Sequence, residues 1–136
     1  REVIAEQDFR SLLWSLIADD FTETLYAEDF GAEWLAAVGY DLTRAELRRA
    51  GTRTWTLTRL FNVREGFDRA DDSLPPVLEE PISEGPGEGD AVSETEFEEM
   101  RAAYYRERGW DERGVPTRER LTALGLDALE LPTGVS

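Results

Sequence analysis

Cysteine, histidine and lysine are all absent from this 136-residue chain, and methionine occurs once, at Met100. Without cysteine there is no disulfide to staple the fold and no thiolate to hold a metal. Without histidine the commonest general base and the commonest transition-metal ligand are missing. Ser–His and Cys–His nucleophilic pairs are therefore excluded. No apolar run approaches the length of a membrane span, and the first residues lack a signal-peptide pattern. No glycine-rich loop stands between a strand and a helix, so the usual phosphate cradles are missing. Gly85, Gly87 and Gly89 lie in an acidic loop that would repel phosphate.

What the chain has in excess is acid. Thirty Asp and Glu residues face fifteen basic ones, all arginine, for a net charge of −15. Such a surface repels nucleic acid and anionic membranes, and both are excluded as partners. Acid excess without lysine fits a surface adapted to high salt, where screening weakens carboxylate repulsion; a GC-rich genome is the bland alternative. Forty per cent apolar residues, with ten per cent aromatic, argue for one globular domain rather than a disordered acidic segment. A cytoplasmic location is the expectation. The start at Arg1 and the late, single Met100 suggest a piece of a longer polypeptide, or a processed one.

The periodicity reads as all-α, with about five helices. Phe9, Leu12, Leu13, Leu16 and Ile17 form an amphipathic stripe, predicting a helix over 3–18. Asp19-Asp20 interrupts or ends it, and an irregular stretch follows through Tyr26. A helix is expected over 28–38, closed by Gly39. Thr43 and Glu46 form a capping box opening a helix over 44–66. Gly51 inside that helix costs roughly 1 kcal/mol against alanine, and a close helix crossing would account for it. An extended acidic strap follows over 68–91, with Leu74, Val77, Leu78 and Ile82 expected to peg it to the core. A second capping box, Ser93 with Glu96, opens a helix over 94–108. A last short helix is expected over 118–124. No segment alternates in the manner of a strand.

Charge is unevenly placed. Seven of the fifteen arginines (Arg44, Arg48, Arg49, Arg53, Arg59, Arg64 and Arg69) fall within 44–69, against the acids Glu46, Glu65 and Asp68. Between Ala70 and Met100 there are eleven acidic residues and no basic one. The arginine window either binds an anionic group or pairs internally, and abundant acid favours internal pairing. Asp19-Asp20 has two readings as well: a paired-carboxylate cation site, or solvated acids at a helix end. Adjacent carboxylates there are usually only solvated.

Residues 55–75, from Trp55-Thr-Leu-Thr-Arg59 through Asn62, Arg64-Glu65-Gly66-Phe67, Arg69 and Asp71-Asp72 to Leu74-Pro75, follow the pattern W-x-L-x-R-x-F-N-x-R-E-G-F-x-R-x-D-D-x-L-P. Tyr104-Tyr105, Arg108-Gly109-Trp110-Asp111, Gly114 and Pro116-Thr117-Arg118 follow Y-Y-x-x-R-G-W-D-x-x-G-x-P-T-R, and Gly39-Tyr40-Asp41-Leu42-Thr43 is similar to G-W-D-x-T. Together these resemble the C-terminal region of tungsten-dependent aldehyde:ferredoxin oxidoreductases, of which this chain would be about the last fifth. The resemblance implies a tungstopterin (or molybdopterin) cofactor, oxidation of aldehydes to carboxylates, and electron transfer through a [4Fe–4S] cluster to ferredoxin. It also implies a pterin-facing motif of the form D-x-x-G-L-(C or D), whose cysteine version supplies a cluster ligand. Here the corresponding run is Trp14-Ser15-Leu16-Ile17-Ala18-Asp19. Trp14 replaces the leading aspartate, Ile17-Ala18 replaces Gly-Leu, and Asp19 stands at the cluster-ligand position.

A carboxylate can ligate iron but is a harder ligand than a thiolate, so the resemblance leaves Asp19 two roles: a contact to the pterin or the cluster's surroundings, ranked first, or a [4Fe–4S] iron ligand. On this reading no catalytic residue lies in the chain, no cofactor binds it alone, and it is inactive by itself. Its partners are the remaining domains of the same enzyme and ferredoxin, with homodimerisation open. Arg59, Arg64 and Arg69 would lock Glu65, Asp71 and Asp72 into the helix-to-strap corner. A stand-alone acidic interaction module is the alternative. A severed domain should leave the Phe9, Leu13 and Ile17 stripe partly uncovered.

Overall fold

The computed structural model describes residues 1–19, 21, 24, 26 and 28–128. Among the described residues there are five helices: α1 (Glu2–Ser15), α2 (Ala32–Ala37), α3 (Arg44–Arg64), α4 (Glu94–Arg108) and α5 (Arg118–Leu124), with a 3-10 turn at Pro76–Leu78. Among the described residues there is no strand, only an isolated bridge between Trp110 and Pro116. The domain is all-α. Asp20 and much of the irregular stretch expected to run through Tyr26 lie outside the described residues.

Local chemistry explains most of the boundaries. Thr43 and Ser93 each accept a hydrogen bond from the backbone three residues on, while Glu46 and Glu96 reach back. Those reciprocal bonds hold both glutamates below the usual carboxylate range. Asp29 does the equivalent for α2, accepting from the backbone N–H groups of Gly31 (2.8 Å) and Glu33 (2.9 Å). Phe30 and Gly31 are left-handed, at φ 63° and 81°, so the helix expected over 28–38 begins only at Ala32.

All five helices close on the same turn. In each, one N–H bonds a carbonyl three residues back and the next N–H bonds a carbonyl five back: Ile17 and Ala18, Gly39 and Tyr40, Gly66 and Phe67, Gly109 and Trp110, Gly125 and Leu126. This is the Schellman closure, which needs a left-handed residue at its first donor. Glycine fills that place four times; after α1 it is Ile17, at φ 57°. The helix expected over 3–18 therefore stops at Ser15, because its backbone turns back at Ile17.

The long helices α1 and α3 pack along each other, crossing where Gly51 meets the backbone of Asp8. One apolar cluster joins Leu12, Phe30, Leu35 and Leu47, with Phe9, Leu16, Ala32 and Ala50 packed against it. A second joins Leu60 of α3 to Leu121, Leu124 and Leu126. Leu57 and Phe61, on the same helix, are exposed.

The strap is held differently from expectation. Val77, Leu78 and Ile82 are more than half exposed, and only Leu74 is half-buried. Polar bonds do the holding instead. Arg59 grips the Asp72 carboxylate with two hydrogen bonds (2.9 and 2.7 Å) and donates its Nε to the Gly114 carbonyl (2.7 Å). The Tyr105 hydroxyl donates to the same carboxylate. Arg101 donates to the carbonyls of Arg69 (2.8 Å) and Asp72 (2.7 Å). Arg64 pairs with Glu65 at 2.9 Å, but Arg69 reaches Glu98 and the Glu112 carbonyl rather than Asp71 or Asp72. Asp71 instead caps the turn, accepting from the Asp68 N–H (2.8 Å).

Candidate cofactor-facing site

The run 14–19 occupies the C-terminal end of α1 and the turn after it. Trp14 is 61% exposed, Ile17 93% and Phe21 98%. Ala18 is half-buried, its N–H tied to the Leu13 carbonyl at 2.9 Å. Asp19 is exposed and its Oδ1 accepts the Phe21 N–H at 2.8 Å. The turn thus brings an uncovered apolar surface and a carboxylate together at one end of the domain. The expected uncovered stripe is only partly so: Leu13 is fully buried and Phe9 half-buried, while Ile17 is exposed, as are Trp14 and Phe21 close to it in sequence.

The donor set decides which group could be held here. With no cysteine or histidine in the chain, and no group of three acidic side chains able to hold a metal among the described residues, these residues do not fit an iron–sulfur cluster by themselves. Asp19 offers acceptor oxygens, the complement of the N–H groups on a pterin ring. No helix among the described residues is long and apolar enough to cross a membrane.

The principal polar network lies elsewhere. Arg108, 1% exposed, donates to Asp8 Oδ1 (2.5 Å) and to Gln7 Oε1 (2.7 Å). The second Asp8 oxygen accepts from the Thr52 hydroxyl at 2.6 Å. Tyr104 donates to Gln7 (2.8 Å) and accepts from Trp55 Nε1 (2.9 Å), while the Arg108 guanidinium lies 5.4 Å from the Trp55 and Tyr104 ring centres. This network ties α1, α3 and α4 together. Tyr105, 3% exposed, has its pKa pushed up to about 12, first by burial and then by its bond to Asp72. These groups are spent on one another. Their bonds hold α1, α3 and α4 in register.

The described residues thus form an all-α domain with exposed apolar side chains at the end of α1 and with Asp8, Arg59 and Arg108 held in ion pairs inside it. Residues 1–126 match the family model described as aldehyde ferredoxin oxidoreductase, domains 2 & 3. The chain belongs to the aldehyde ferredoxin oxidoreductase family. It is 40% identical over 127 residues to the tungsten-containing aldehyde ferredoxin oxidoreductase of Pyrococcus furiosus, a match covering 91% of this chain and 20% of that one. The corresponding protein of Pyrococcus abyssi is 38% identical over 128 residues, covering 92% of this chain and 21% of the relative. Among solved structures, the active-site complex BamBC of benzoyl coenzyme A reductase with 1,5-dienoyl-CoA superposes with a TM-score of 0.55 at 31% identity, covering 72% of this chain and 13% of that one. The chain spans about a fifth of the length of the tungsten-containing relatives it matches.

Proposed function

We propose that this chain is the C-terminal helical domain of a tungstopterin aldehyde oxidoreductase, helping to enclose the cofactor. The observation that carries the reading is the turn after α1: Ile17 takes up the left-handed conformation at the position where the resembling motif has glycine. That coincidence supports the register that puts Trp14, Ala18 and Asp19 toward the pterin. When bound in the whole enzyme, the tungstopterin would supply the two-electron oxidation of an aldehyde to a carboxylate, with electrons leaving through a [4Fe–4S] cluster to ferredoxin. In this chain, Asp19 would accept hydrogen bonds from the pterin rather than ligate iron, and Trp14, Ile17 and Phe21 would shield the cofactor from water. These are positioning and exclusion roles, the protein's usual share of cofactor chemistry. The domain would be inactive alone, within a cytoplasmic enzyme.

The alternative is a stand-alone acidic interaction module that kept the fold and lost the cofactor. It draws on the full burial of Leu13, but leaves the exposure of Trp14, Ile17 and Phe21 unaccounted for. The test is to purify the full-length gene product, measure its tungsten content by mass spectrometry, and assay aldehyde-dependent reduction of a viologen dye. Tungsten together with dye reduction is expected. A full-length product that carries neither, or a gene that opens immediately before Arg1, would overturn the reading in favour of the module.

A further inference from the structure

A cleft lies at the N-terminal end of α1, the opposite end of that helix from Trp14 and Asp19. It measures about 910 Å³ and runs between the first turns of α1, the middle of α3 and the body of α4. Val3, Ile4, Trp55, Leu74, Phe97 and Met100 give it an apolar wall. At its rim Val3 is 62% exposed and Met100 54%.

Several of the polar groups that reach this cleft are already paired, while Arg101 Nε and Trp110 Nε1 are buried without a hydrogen-bond partner. Gln7, Tyr104 and Trp55 bond one another, and Arg59 is closed on Asp72. At the mouth, Arg1 pairs with Glu107 at 3.4 Å. Beyond those two N–H groups the wall is mainly apolar, and a polar or anionic small molecule would have little else to bond. An apolar protein segment would find a wall of matching surface, in the manner of a helix laid into a groove.

We propose that this cleft receives an apolar segment of the same polypeptide from the region preceding α1 in the longer enzyme. The inference rests on the reading given under Proposed function. Two observations select this occupant. The relatives are about five times as long as the stretch matched, so most of such a chain lies outside this domain. The first turn of α1 is itself a wall of the cleft, so the backbone that enters α1 does so along its rim. Tethering then supplies an effective concentration of about millimolar, enough for a contact of modest intrinsic affinity. A second copy of this chain is a poorer occupant, because each copy brings a net charge of −15.

The only methionine in the stretch sits at this rim, which gives a direct probe. In the native full-length enzyme treated with hydrogen peroxide, oxidation of Met100 is followed by mass spectrometry on the tryptic peptide spanning 70–101. The reference is the same protein in urea. Burial of the rim should slow oxidation at least roughly tenfold. Oxidation within about twofold of the unfolded rate, in a preparation that carries tungsten, overturns the docking while leaving the proposed function standing.

A photo-crosslinking residue at position 100 identifies the occupant. A crosslink within one chain, to a residue upstream of Arg1, supports the proposal. A crosslink between two copies, or none upstream, overturns it. An upstream crosslink in a protein without tungsten would uphold the docking and sink the cofactor reading instead.

Discussion

Gly51 of α3 faces the carbonyl of Asp8 so closely that a Cβ built on it would lie 2.0 Å from that oxygen. The obstacle is backbone, which cannot swing aside as a side chain can. Gly51→Ala should therefore push α1 and α3 apart and destabilise the domain by about 3 kcal/mol, although alanine is the better helix former. Denaturant unfolding checks this. A variant as stable as the parent would show that the crossing has slack.

Asp8 and Arg108 form a buried ion pair with side chains 9% and 1% exposed. Removing one partner strands the other's charge away from water, so Arg108→Ala or Asp8→Ala alone should cost about 3–5 kcal/mol. Removing both should cost less than the sum of the two single losses. A double-mutant cycle by urea denaturation measures this coupling, and strict additivity would refute it.

Ile17 is the one helix-closing residue of the five that is not glycine, and it is 93% exposed. Replacing it with glycine relieves a strained backbone and forfeits almost no buried surface. Ile17→Gly should raise stability by about 1 kcal/mol, the relief slightly exceeding the extra entropy of an unfolded glycine. A lower melting temperature for the variant would contradict the strain.

Tyr105 carries a pH dependence of definite sign. Its pKa rises from 10.0 to about 12 on folding, chiefly because burial disfavours the phenolate and then because its hydroxyl donates to Asp72. The fold thus holds the proton more tightly than the unfolded chain does. That contribution is intact below pH 10 and is lost as pH climbs from 10 towards 12. Tyr105→Phe should lose less stability than the parent across this window, read as the difference between two thermal-melt titrations. Parallel curves would contradict the assignment.

The charge of −15 predicts a salt response. Melting temperature should rise from low to molar salt as repulsion among the carboxylates is screened. A melting temperature indifferent to salt would remove the case for adaptation to high salinity.

How far the sequence discloses the structure depends on the range of each interaction. The starts of α3 and α4 are legible because Thr43 with Glu46, and Ser93 with Glu96, are three residues apart. Gly51 is legible as a crossing because glycine in a helix interior needs a reason. The end of α1 is hidden because Ile17 does a job normally marked by glycine, and the hydrophobic stripe continues past it. The Asp8–Arg108 pair spans a hundred positions, so no local spacing could announce it; the available hint is Arg108 lying inside the Tyr104–Arg118 motif. Val77, Leu78 and Ile82 look like pegs by composition, yet the strap is tied down by Asp72. Trp14 and Ala18 stand out only through family resemblance, and Asp19 otherwise only as half of the Asp19-Asp20 pair, since residues at a helix end leave no periodic trace.

The bond between Asp8 and Arg108 also bears on how the domain is made. A ribosome delivers α1 first, and α3 can pack on it as soon as both have emerged. Until position 108 is synthesised, however, that packing would enclose a carboxylate with no counter-charge. The helical pair is therefore left unfinished until four-fifths of this stretch has been translated, and α4 acts as the latch on a structure begun at α1.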